Sequence, residues 1–318
     1  MRKAVRRILV VVDPAKSRDA AFDRALALAR GWNAGLYLLH ACPPRRASHV
    51  STASEDLELG GSEGARSRLS ALVRSAEGEG VQVRAVTAEG LDRARDIAAH
   101  AHLVMADLIV IPRDFGSSRL WRVPRVAASL GRSAPVPVLI VPPQRTAIHP
   151  PGPTFKKIVV AVDFTVASAV ALRAATDLIA QGDGRGTVVH ALPYASPMVF
   201  SGSEAFREIE YLRGHTVQVE ARLRGTLPAT ARHLLKARVV IGEASQAILD
   251  VAAEVDADLV VMGVPSRDGG ELLFGSTFRR VVSQSLRPIL AVPVVAGGYR
   301  WAGDLPAHLV NESDLRAA

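Results

Sequence analysis

Short, wholly apolar runs recur along the chain, and each is followed by a stretch in which apolar residues return every three or four positions. The runs predict strands at 6–12, 35–41, 81–87, 107–111 and 136–141, and again at 157–162, 186–192, 236–241, 258–262 and 289–293. The 3.6-residue patterns predict helices near 17–30, 54–78, 91–104 and 120–131, then near 166–181, 203–225, 244–255 and 275–286. In the first helix Ala20, Ala21, Ala25, Leu26, Leu28 and Ala29 form a small-residue face suited to packing on a sheet. Strands apolar on both faces that alternate with helices predict a parallel sheet covered on both sides. Right-handed crossovers wind such strands into an open α/β sheet.

The pattern repeats at about 150 residues. Arg6-Arg-Ile-Leu-Val-Val-Val-Asp13 matches Lys156-Lys-Ile-Val-Val-Ala-Val-Asp163, and Leu38-Leu-His40-Ala41 matches Val188-Val-His190-Ala191. Ala106–Ile111 matches Ala257–Met262, and Pro137–Pro142 matches Pro288–Pro293. A repeat of this length predicts two domains, 1–142 and 155–295. The segment 143–154 between them is rich in proline, without periodicity, and reads as a linker. Residues 296–318 form a C-terminal tail outside the repeat.

Composition narrows the setting. No run approaches the roughly 20 apolar residues that a membrane helix needs. The opening MRKAVRRILVVV imitates a signal peptide, but Asp13 interrupts its apolar stretch. Cys42 is the single cysteine, so neither an internal disulfide nor a cysteine metal cluster is expected. These features point to a cytoplasmic protein. The net charge of +8 lies wholly in the first half, where residues 1–150 hold 22 Lys and Arg against 14 Asp and Glu. With no zinc-finger spacing, no aromatic RNA-binding pattern and no long basic tail, the expectation is no specific nucleic-acid binding.

The chemistry concentrates between Gly263 and Pro293. A strand end leads into a loop carrying Gly263, Gly269, Gly270 and Gly275, and Ser276-Thr277 opens a helix. Phe278, Val281, Val282 and Leu286 are expected on its buried face, with Arg287-Pro288 ending it. Free N–H groups and the helix dipole make such a start a natural seat for a phosphate. The same residues also read as a strand-to-helix turn with nothing bound, and Asp163 as a cap for the helix beginning near Val166. The first half has Pro112 in place of Gly263 and Pro124-Arg125 in place of Gly275-Ser276. It carries Arg113, Arg119, Arg122 and Arg125 instead, which suit an anion, a solvated face or an interface. Catalytic signatures are thin. Neither nucleotide fingerprint loop is present, and Pro135 spoils a nucleophile elbow at Ser133. His100 and His102 point apart on a helix, and His40 and His190 read as residues that satisfy backbone groups.

The loop and helix resemble the C-terminal signature of the universal stress protein family: Gly, two residues, Gly, nine residues, Gly, then Ser or Thr. Gly263 and Gly275-Ser276 match; the middle glycine is Ser266, the loop is one residue short, and Pro265 has no N–H to offer. The resemblance spans 5–142 and 155–293. It implies two open, doubly wound five-stranded parallel sheets in 3-2-1-4-5 order, Rossmann-like and similar to the adenine nucleotide alpha-hydrolases. It brings Asp163, Ala191 and Gly263 to one crevice at a topological switch point. By family resemblance, Asp163 lies by the adenosine, Ala191 backbone meets the adenine, and Gly263, Ser266, Gly275, Ser276 and Thr277 meet the phosphates. The implied ligand is ATP or AMP, with Mg accompanying ATP, in a regulatory protein with at most slow ATP hydrolysis. The rival is an interaction module of the same fold without nucleotide. The last strands of the two halves, 136–141 and 289–292, are apolar edges that invite pairing, and family dimers commonly pair through this strand, so an intramolecular pseudo-dimer is expected; a homodimer of the whole chain is expected besides.

Overall fold

Ile8, Leu9, Val10, Val11 and Val12 are all buried, because both faces of their strand are covered by helices. The computed structural model describes residues 5–12, 20–42, 63–89, 93–115, 125–143, 149, 151–193, 203–265 and 276–294. In the first half the strands are β1 (Arg7–Val12), β2 (Gly35–Cys42), β3 (Val83–Glu89), β4 (Leu108–Pro112) and β5 (Val138–Val141). They alternate with α1 (Ala20–Trp32), α2 (Glu63–Gly78), α3 (Arg93–Leu103) and α4 (Arg125–Ser133). The second half repeats the plan with β6 (Lys157–Ala161), β7 (Arg185–Leu192), β8 (Leu235–Ile241), β9 (Leu259–Val264) and β10 (Ile289–Pro293). Its helices are α5 (Val166–Gly182), α6 (Ser203–Thr226), α7 (Ala244–Glu254) and α8 (Ser276–Gln284).

All ten strands form one sheet in the order β3-β2-β1-β4-β5-β10-β9-β6-β7-β8. Each half therefore has the 3-2-1-4-5 order, and every pairing within a half is parallel. The junction is antiparallel: Ile289 pairs with Ile140, Leu290 with Leu139 and Ala291 with Val138. The period-2 alternation of strands divides the core. Ile8, Val10, Val12, Ile158 and Val160 pack with Ala25, Leu28, Ala171 and Ala175 on one face. Leu9, Val11, Ile109, Val159 and Val260 pack with Ile97, Leu130, Val251 and Val281 on the other. Both cores run continuously across the junction.

The end of the linker docks on α1. Gly31 leaves room for it, since a Cβ there would lie 2.6 Å from the Pro153 Cβ. Buried Arg24 donates to Gly152 O at 3.4 Å and stands 5.3 Å from the centre of the Phe155 ring. Several element bounds differ from the sequence expectation, among them β9, which runs to Val264 rather than 262 and so contains Gly263. β3 starts at Val83 rather than 81, because Gly80, at φ +76°, turns the chain and Val81 N closes α2 by donating to Ala76 O. β5 starts at Val138 rather than 136, and Pro137 contributes only its carbonyl, to Ile109 N. A 3-10 helix, Ala229–Leu234, precedes β8 without having been expected. Finally α8 ends at Gln284, so Leu286 is 44% exposed instead of buried, while Ser285 Oγ bonds the backbone of Arg287. Residues 54–62 and 120–124, where α2 and α4 were expected to begin, lie outside the described residues.

Candidate functional site

The carboxyl ends of β6, β7 and β9 lie side by side. Ala161 pairs with Val189 of β7 and with Met262 of β9, and Val162 N reaches Val189 O at 2.8 Å. Gly263 follows next and is still within β9, paired with Val292, rather than in the loop, while Asp163 and Ala191 come two residues after the Ala161–Val189 pair, so residues distant in sequence lie at one end of the sheet. Ala191 is itself within β7, paired with Val240.

Asp163 is exposed and shapes the start of α5. Its Oδ1 accepts from Thr165 N at 3.1 Å and from the Thr165 hydroxyl. Thr165 is the N-cap, accepting from Ser168 N at 3.3 Å. The carboxylate thus supports the cap rather than being the cap itself, and favours the positive end of the helix. Phe164 between them adopts φ +63°, a region a large side chain seldom enters. Its ring is held from two sides: the His190 ring lies at 4.6 Å, and the Arg222 guanidinium sits 4.1 Å above it. His190 Nδ1 donates to Val162 O at 2.7 Å, so this histidine does satisfy a backbone group.

Gly263 has no room for a side chain. A Cβ would lie 2.0 Å from Ala167 O, 2.2 Å from Ala167 C and 2.7 Å from Ser168 N, all backbone of the first turn of α5. The glycine lets β9 and α5 meet, a reason separate from any ligand. Ser276 and Thr277 open α8, Ser276 exposed and Thr277 half-buried, with Phe278, Val281 and Val282 turned inward. Ser266 and Gly275 lie outside the described residues, as do Asp13, Arg119, Arg122 and Pro124.

Two groups escaped the sequence reading. Glu243 caps α7, accepting from Ser245 N at 3.1 Å, from Gln246 N at 3.0 Å and from the Ser245 hydroxyl. Arg280 of α8 stands 3.5 Å from it. The Ser245 hydroxyl holds the Glu243 carboxyl below the usual range against the opposing desolvation of burial, and the two backbone N–H groups and Arg280 add to the depression. The signal available was a glutamate just before a helical pattern, a weak one because Ser, Thr, Asp and Asn lead at that position. The second group is Arg113, just after β4, whose Nη1 donates to Ser285 O of the second half. Burial pulls its guanidinium below the ordinary value, with Asp114 opposing. Among the described residues there is no cluster of side chains that could hold a metal ion, and no helix is long and apolar enough to cross a membrane.

The sheet is open and parallel within each half, and its strand order reverses between β6 and β9, where Asp163 and Gly263 lie. The family model described as the universal stress protein family matches residues 4–142 and again 154–293. The chain belongs to that family, as a tandem member. Among solved structures, it is similar to a functionally unknown protein from Pseudomonas aeruginosa PAO1, at 21% identity and TM-score 0.61, covering 91% of this chain and 93% of that one. It is likewise similar to a universal stress protein from Archaeoglobus fulgidus DSM 4304, at 17% identity and TM-score 0.61, covering 90% and 96%. The universal stress protein from Archaeoglobus fulgidus solved in complex with dAMP is 28% identical, covering 43% of this chain and 98% of that one, at TM-score 0.31. No curated protein matches the sequence.

Proposed function

We propose that the chain is a stress-response protein whose second half binds one adenine nucleotide, ATP or AMP, and that it acts as a regulator rather than as a strong catalyst. The observation that carries this reading is the meeting of Asp163, Ala191 and Gly263 at the switch point from which α8 is reached. Both Thr165 contacts fall on Asp163 Oδ1, and Oδ2 is the acceptor assigned to a ribose hydroxyl. Ala191 backbone would border the adenine. Gly263, Ser266, Gly275, Ser276 and Thr277 would meet the phosphates, with Mg entering beside ATP. Pro112 and Pro124 have no N–H for a phosphate, so one ligand per chain is expected.

Calorimetry with ATP and AMP, together with mass spectrometry of ligand released from purified protein, tests the reading. Asp163→Ala should abolish binding. A second reading, an interaction module without nucleotide, draws on Pro265 at the loop start and on the engagement of Asp163 with Thr165. An absence of released ligand and of binding heat would select it. In either reading we take the halves as an intramolecular pseudo-dimer, which the antiparallel β5–β10 pairing supports. The whole chain is read as a cytoplasmic homodimer, which light scattering on the purified chain tests.

A further inference from the structure

We propose that Arg113, a residue of the first half, is a positioning residue for the ligand site of the second half and acts on it through α8. The inference rests on the nucleotide reading above. Arg113 follows Pro112 at the end of β4, the place that Val264 holds after Gly263 in the other half. Its own N donates to Val141 O at 2.7 Å, which ties it to β5. Its guanidinium then crosses to Ser285 O, one residue past the end of α8, where Ser285 N still bonds Val281 O at 2.8 Å. A cation that donates to a carbonyl at a helix C-terminus satisfies an orphan acceptor and complements the dipole.

The first half also touches α8 near its other end. Gly131 of α4 faces Phe278: a Cβ at Gly131 would lie 2.9 Å from Phe278 Cζ and 3.2 Å from the Ala291 Cβ. One short helix is therefore held by the first half close to both termini. Its first residues, Ser276 and Thr277, are those assigned to the phosphates. At ~1.5 Å per residue, nine residues span about 14 Å, so Arg113 is too far away to touch a phosphate seated at Ser276. It can act only by fixing where the helix lies, and hydrogen bonds to phosphate weaken steeply as donors tilt or withdraw. The half that lost its own cradle is thereby assigned the task of aligning the other one.

The test uses the full chain. In calorimetry, Arg113→Ala should weaken ATP binding about tenfold, equivalent to ~1.4 kcal/mol. Arg113→Lys, which keeps a charged donor, should recover most of that loss. Hydrogen exchange on the wild-type chain should show that saturating ATP slows exchange at 108–115, and Arg113→Ala should remove that effect. A brace without a link to the ligand would not give this response. Arg113→Ala binding ATP within about twofold of wild type, Arg113→Lys losing as much as Arg113→Ala, or no ATP-dependent change at 108–115 would each overturn the proposal. A wild-type chain that binds neither ATP nor AMP overturns the nucleotide reading, and this one with it.

Discussion

Replacing Gly263 with alanine should lower stability, although alanine is the better residue for a strand by roughly 0.5–1 kcal/mol. The new Cβ would lie 2.0 Å from Ala167 O and 2.2 Å from Ala167 C. Carbon and oxygen normally approach to roughly 3.3–3.6 Å even in close contacts. β9 and the first turn of α5 must therefore separate by more than ~1 Å, and no side-chain rotation can absorb that, because the obstructing atoms are backbone. Overpacking of this kind costs about 1–3 kcal/mol. The same shift disturbs the Thr165 cap, worth about 1 kcal/mol. Set against the strand preference, the net loss is roughly 2 kcal/mol. For a cooperative unit of 318 residues, with about 2.1 cal/mol/K of unfolding entropy per residue, that is a fall of about 3 °C in midpoint. Urea and thermal melts of wild type and Gly263→Ala, without nucleotide, measure it directly. A variant that melts at or above the wild-type temperature would refute the claim that this glycine is fixed by the approach of α5.

Other outcomes follow from the same contacts. Glu243→Ala should destabilise by about 1 kcal/mol at pH 7 through loss of the α7 cap. Because the folded pKa of Glu243 is depressed, the carboxylate's contribution is present above the ordinary glutamate value of about 4.3 and is lost as pH falls through the folded value. The gap between variant and wild type should therefore narrow in melts below pH 4. Asp163→Ala should abolish nucleotide binding by calorimetry while Asp13→Ala leaves it intact; two ligands per chain would contradict the asymmetry. Gly31→Ala would drive a Cβ to 2.6 Å from Pro153, so limited proteolysis should cut faster within 143–154; an unchanged digestion rate would contradict the docking. Gel shifts with DNA at about 150 mM salt should show little retention.

Strand positions were readable from period and repeat, whereas strand order came only with the family resemblance. Ile8 to Val12 and Ile158 to Val160 announce buried strands whatever surrounds them. What could not be read depends on partners remote in sequence. Nothing near Leu286 reveals that Ser285 and Arg287 bond each other and turn it outward. Nothing near Arg113 reveals a carbonyl acceptor 172 residues away. Gly263 was noticed as a phosphate residue, whereas the contact seen is with α5, which only the assembled sheet brings near. Asp163 admitted two readings from sequence, cap or ligand residue. Its geometry adds a third arrangement, in which the aspartate supports the threonine that caps.

The antiparallel seam has a consequence for synthesis. β10 is the last of the described strands but sixth in the sheet, so the partner of β5 is made about 150 residues after β5 itself. At 5–20 residues per second that interval is roughly 8–30 s on the ribosome. Throughout it Val138–Val141 is an apolar strand edge without its neighbour, the kind of surface that recruits other nascent chains. The first half thus leaves the ribosome with its folding incomplete by design of the topology, and slowing translation between residues 142 and 289 should raise aggregation more than slowing it elsewhere.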